Sequence, residues 1–236
     1  MKKRLLLLLL VMTVFTLAAC GKSSSTDPDD LVAYGDKDYL GSYTETTYKN
    51  ERYKILFTVP SKDFVFATFD EILTANDMKE DGYSNKKVPE FLAEGKDYMT
   101  MYGGNGETGS STSVVLTKTE PNVDQAAVIQ TSADKIKESW EKDPSITIKE
   151  CQLVKGSPVG NDQYLSYTIE SNNVTFYTKQ FYVFADGDMA LISISATSKR
   201  EIDAMFKAWT TLTETGGDTK NSETKSSETT EAATAK

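Results

Sequence analysis

Few residue types in this chain could do covalent chemistry, and position assigns only one of them. Cys20 ends the run Leu17-Ala18-Ala19-Cys20 and is followed by Gly21. A thiolate can be alkylated by a lipid donor, whereas a serine hydroxyl is a much poorer nucleophile. Ahead of it, Lys2, Lys3 and Arg4 precede an unbroken apolar to weakly polar stretch from Leu5 to Ala19. That stretch falls short of the ~20 residues a bilayer span needs and has the length of a secretory h-region. The second cysteine, Cys151, is the only other thiol in the sequence. It reads as a small buried hydrophobe, and the domain is expected to be held by its core alone.

The remaining candidates are weaker. The chain has no histidine, which rules out Ser-His-Asp and Cys-His catalysis and any His-ligated zinc. Gly104-Asn105-Gly106-Glu107-Thr108-Gly109-Ser110-Ser111 has the glycine spacing of a phosphate loop, but Ser110 stands where the lysine belongs. It also runs into Ser113-Val114-Val115-Leu116, a strand pattern, where a phosphate loop opens a helix. It reads as a hairpin loop. Asp186-Gly187-Asp188 lacks the ligand spacing of a calcium loop and reads as a tight turn. Glu150, Asp162 and Glu170 are the acids available to a paired-carboxylate hydrolase, but nothing in their spacing singles out a pair. Tyr164, Tyr167, Tyr177 and Tyr182 could form an aromatic contact face, though packing beneath helices is the simpler expectation. From these residues we assign no catalytic, cofactor-binding or metal-binding position.

The N-terminal pattern resembles the lipobox of bacterial lipoproteins. That resemblance implies cleavage before Cys20, a diacylglyceryl thioether on its sulfur, and residence on the extracytoplasmic face of the cell membrane. Two acyl chains hold a protein stably where one does not. Residues 1–19 are then signal peptide, and their loss takes the formal charge from −9 to −12. So acidic a chain is a poor nucleic-acid partner. Residues 20–35 read as lipidated Cys20 and a polar tether, 36–213 as a single domain, and 214–236 as a disordered Ser/Thr/Glu/Lys-rich tail without large apolar side chains.

Within 36–213 the hydrophobic period alternates. Tyr53, Ile55, Phe57 and Val59 mark a strand stopped by Pro60, paired with Tyr43 to Asn50 before it. Thr68 and Glu71 form a capping box for a short helix, and residues 77–92 read as loop with a helical turn. Tyr98 to Tyr102 and Ser113 to Thr119 form a hairpin. Pro121-Asn122 caps a helix whose stripe is Ala126, Ile129, Ala133, Ile136 and Trp140. Four strands follow at about 146–156, 162–171, 174–185 and 188–197. Ser198 and Glu201 then open a closing helix with Ile202, Met205, Phe206, Trp209 and Leu212 on one face. The order ββαββαββββα, with tight turns between successive strands, implies an α+β fold in which helices flank an antiparallel sheet.

Tyr53-Lys54-Ile55-Leu56-Phe57-Thr58-Val59-Pro60 with Phe64, Gln180-Phe181-Tyr182-Val183, Met189-Ala190-Leu191-Ile192, and the helix bearing Ile202, Met205 and Trp209 resemble the PsbP-like sandwich lipoproteins of Gram-positive bacteria. The resemblance implies a non-catalytic binding or assembly role in the cell envelope, toward an envelope protein or glycan. The competing expectation is a cell-envelope hydrolase using paired carboxylates.

Overall fold

The computed structural model describes residues 39–78 and 87–212. The expectations for Cys20, the signal peptide, the tether and the tail lie outside the described residues, as do residues 79–86 of the expected loop.

The elements are β1 (Ser42–Tyr43), β2 (Thr47–Asn50), β3 (Ile55–Thr58), β4 (Val65–Phe66), α1 (Phe69–Ala75), α2 (Lys87–Ala93), β5 (Tyr98–Asn105), β6 (Ser110–Lys118), α3 (Gln125–Glu141), β7 (Ile146–Lys155), β8 (Gln163–Ser171), β9 (Val174–Ala185), β10 (Asp188–Ala196), α4 (Lys199–Ala208) and β11 (Trp209–Thr211). The α+β class and the antiparallel pairing are as expected, but the strands form two sheets. Seven run in the order β4-β5-β6-β10-β9-β8-β7, and four in the order β1-β2-β3-β11.

Each departure from the expected order has a physical cause. Trp209 continues the helical spacing of Ile202, Met205 and Phe206, yet α4 stops at Ala208. Trp209 is extended, with φ −92° and ψ 133°, and pairs with Phe57 to start β11. An aromatic followed by two threonines favours a strand, and Leu212 therefore leaves the helix face. Glycines 103 and 104 lie inside β5, not in the loop. A Cβ on Gly103 would come within 2.7 Å of the Phe64 ring, so the glycine serves close packing. Asp124, not Pro121-Asn122, caps α3, its carboxylate accepting from the Ala127 N–H at 3.1 Å. Ala126 faces solvent, while Ile129, Ala133, Ile136 and Trp140 are buried. Residues 87–93 are a full helix whose Val88 and Leu92, four apart, are buried. Tyr53 belongs to the β2–β3 turn, ahead of a left-handed Lys54 at φ 53°.

The capping box at Thr68 and Glu71 forms reciprocally. The one expected at Ser198 is half made. Ser198 accepts from the Glu201 N–H, but the Glu201 carboxylate is engaged by Arg200.

The large sheet has two covered faces. On the inner face, α2, α4 and the small sheet enclose a core containing Phe57, Leu116, Phe181, Ile192, Met205 and Trp209. On the outer face, α3 buries Ile129, Ala133, Ile136 and Trp140 against Leu165, Tyr167, Tyr182 and Met189. Farther along that face, α1 sets Ile72 on Met99 and Val115. These two outer helices leave the middle of the face, on β6, β10 and β9, between them.

Candidate functional site

Residues paired directly across antiparallel strands share a face. On the outer face this gives the rows Val115–Leu191–Tyr182 and Ser113–Ser193–Gln180–Leu165. α3 lies over β7 and β8, so its flank stands beside these rows and forms one wall. The flank presents Asp124, Ala127, Val128, Thr131, Ser132, Lys135 and Ile136, a stripe at spacings of 3 and 4. Wall and floor enclose a groove of about 480 Å³, with Tyr182, Met189 and Leu191 beneath it.

Little of this groove is polar, and its polar groups are linked. The Tyr182 hydroxyl donates to Gln180 Oε1 at 3.3 Å, and Gln180 Nε2 donates to Ser193 Oγ at 3.3 Å. Burial pushes the Tyr182 hydroxyl well above the usual tyrosine range, a shift that its hydrogen bond with Ser132 partly offsets. Tyr182 therefore keeps its proton at any physiological pH. An apolar concavity of this size with a few fixed polar groups is the form that small-ligand sites take.

A second concavity of about 700 Å³ lies on the inner face beside α4, lined by Lys149, Glu150, Ser166, Thr168, Tyr177 and Lys179. It is polar, and two of its lysines are already ion-paired, Lys149 with Glu170 at 2.9 Å and Lys179 with Asp203 at 3.2 Å. Apolar burial is a weaker driving force there.

The residues singled out in the sequence are scattered. Glu150 pairs across from Thr168 and Glu170 across from Thr147, in different rows, and Asp162 sits in the β7–β8 connection. Gly106 to Gly109 make the β5–β6 turn, and Asp186-Gly187 the β9–β10 turn, with Gly187 at φ 78°. Tyr164 packs between Phe181 and Phe206 on the inner face. Tyr167 meets Trp140 on the outer face, and Tyr182 forms groove floor. Tyr177 is half-buried beside the second concavity. Cys151 is half-buried at the edge of the α3 core. Burial pushes its thiol up, although Lys137 pulls the other way.

One cluster escaped sequence reasoning. Asp188, only 4% exposed, accepts from Arg52 at 2.6 Å and from the Tyr53 hydroxyl at 2.7 Å. Arg52 also lies 4.5 Å over the Tyr39 ring. The cluster joins the β2–β3 turn to the start of β10 and therefore links the two sheets. An acid opening the apolar run Asp188-Met189-Ala190-Leu191-Ile192 was the available signal, because a charge there must find a partner.

No protein-family model and no curated protein sequence matches the chain. Its structure is similar to that of cyanobacterial PsbP (CyanoP) from Synechocystis sp. PCC 6803, at 10% identity and a TM-score of 0.39, covering 75% of this chain and 98% of that one. It is also similar to LpqN of Mycobacterium tuberculosis, a protein involved in cell envelope biogenesis, at 12% identity and a TM-score of 0.37, covering 66% and 82%.

Proposed function

We propose that the chain is a lipid-anchored, extracytoplasmic and non-catalytic binding module, and that its ligand site is the groove between α3 and the outer face of the large sheet. The observation that carries the site is the open, mainly apolar concavity over half-buried Leu191, beside an α3 flank that includes Ala127, Val128, Thr131 and Ser132. The anchor rests on the basic n-region, the short apolar run and Leu17-Ala18-Ala19-Cys20. The absence of histidine from the sequence and the engagement of the Glu170 carboxylate by Lys149 at 2.9 Å on an open strand face favour binding over carboxylate hydrolysis, which needs two acids facing each other across a cleft.

Two measurements test the two halves. Cys20→Ala should release the protein from the membrane fraction or leave an uncleaved precursor. A processed Cys20→Ala form that still partitions fully into detergent phase would overturn the anchor. For the site, the dye 8-anilinonaphthalene-1-sulfonate should bind saturably to the native chain and lose that binding in Leu191→Trp, which fills the floor. Undiminished dye binding in that variant would place the site elsewhere.

A further inference from the structure

The inner face of the large sheet is only partly roofed. α4 lies over β6, β10 and β9, and the inner face of β7 and β8 stays open beside its first turn. Register fixes which side chains stand on that open floor. Glu150, Thr168 and Tyr177 are paired directly across β7, β8 and β9 in one row. Ser166 and Lys179 are paired in the next row, and Glu170 and Thr175 in the row on the other side. Every one of these side chains is exposed or half-buried. With Lys199 and Asp203 of α4 they border the polar concavity of about 700 Å³.

The charges around this floor balance. Glu170 holds Lys149 and Asp203 holds Lys179, which leaves Glu150 on β7 and Lys199 on α4 to either side of Thr168 and Tyr177. A bare anion there meets Glu150 and a bare cation meets Lys199, so neither is favoured. The Glu150 carboxylate and the hydroxyls of Ser166, Thr168 and Thr175 are engaged by no other side chain among the described residues. They offer acceptors and donors together. Among them stands one aromatic ring, Tyr177, which is rooted against the inner core and has the Lys199 ammonium 5.9 Å from its centroid. Hydroxyl-matching groups around an aromatic ring suit an uncharged ligand that is rich in hydroxyls and apolar on one face. A sugar ring has that chemistry. β7 is also the last strand of its sheet, so the floor is unwalled on that side and admits a chain longer than the site itself.

We propose that this polar floor binds a neutral, unbranched oligosaccharide, with one sugar ring against Tyr177 and its hydroxyls shared among Glu150, Thr168 and Thr175. The site lies on the opposite face of the sheet from the groove beside α3 and does not rest on it.

The mature full chain, kept soluble by Cys20→Ser, is titrated calorimetrically with chitohexaose and with cellohexaose. Saturable binding of at least one is expected, changing by less than about twofold between ~50 and ~500 mM salt. Tyr177→Ala should weaken it at least tenfold, and Glu150→Gln several-fold. Thr168→Trp, which fills the floor from an accessible strand position, should also weaken it at least tenfold and serves if Tyr177→Ala misfolds. Leu191→Trp, in the groove, should bind as the parent does. Absence of saturable binding for both sugars, or parental affinity in both Tyr177→Ala and Thr168→Trp, overturns the proposal. Dextran sulfate that binds more tightly than either neutral chain, and weakens with salt, overturns the neutral-ligand assignment. Sugar binding lost in Leu191→Trp but kept in Thr168→Trp would move the sugar to the groove and overturn this site.

Discussion

Trp209 shows how one side chain can join two sheets. It is 1% exposed, with its ring 5.0 Å from Phe57 and its indole N–H donating to Thr112 Oγ1 at 3.3 Å. Thr112 passes the connection on to the Ser193 carbonyl at 3.0 Å. Trp209→Ala should cost about 3–5 kcal/mol in a denaturant melt, and a curve overlaying the parent would show that the site is not packed. The buried tyrosines set an alkaline limit. Burial pushes Tyr48 up to about 12, with hydrogen bonds from Thr100 and Asn50 opposing the shift, whereas an unfolded tyrosine titrates near ~10. The folded state thus holds this proton more tightly. Its contribution is complete below pH ~10 and is lost as pH rises through about 12. Tyrosinate absorbance should therefore lag that of free tyrosine until circular dichroism reports unfolding. All tyrosines ionising together near their free value, with the fold intact, would contradict this. For Cys151, the raised thiol predicts slow labelling by a thiol reagent at neutral pH and fast labelling in denaturant.

Among the elements, those governed by local chemistry were readable and those governed by distant neighbours were not. Thr68 and Glu71 lie three residues apart, so the cap they make needs nothing else. The β7–β10 meander followed from alternation and from turn residues such as Asn172 and Asn173, both left-handed in the structure. Trp209, by contrast, fits a helical stripe and a strand equally well, and Phe57, about 150 residues away, decides for the strand. The groove could not be read for a related reason. Periodicity tells which face of β10 is apolar, but not that α1 and α3 stop short of covering Leu191. The β7–β8 connection offers a test at this scale. Gly160 is left-handed at φ 69°, and a Cβ there would overlap the Tyr182 carbonyl oxygen. Gly160→Ala combines strain of roughly 1–3 kcal/mol with displacement of β9 at the groove. It should lower both the melting midpoint and dye affinity, and an unchanged midpoint would refute the close approach.

At the scale of the whole molecule, the two ends of the described chain belong to the small sheet. The Tyr39 carbonyl accepts from Asn50 at 2.9 Å, and the Leu212 N–H donates to the Lys54 carbonyl at 2.9 Å, so both ends meet the β2–β3 turn. Deleting residues 214–236, which contain no aromatic residue and no Leu, Ile, Val or Met, should shift stability by less than about 1 kcal/mol. A larger loss would mean that the tail packs on the domain. The shared attachment also has a mechanical consequence. Any pull applied at Tyr39 or Leu212 first loads the short ladders β1–β2 and β3–β11, of two and three residue pairs. The seven-stranded sheet, and the groove on its far face, lies behind that fuse. Under tension applied at the chain ends the small sheet should peel first, leaving the groove shaped while the handle gives way.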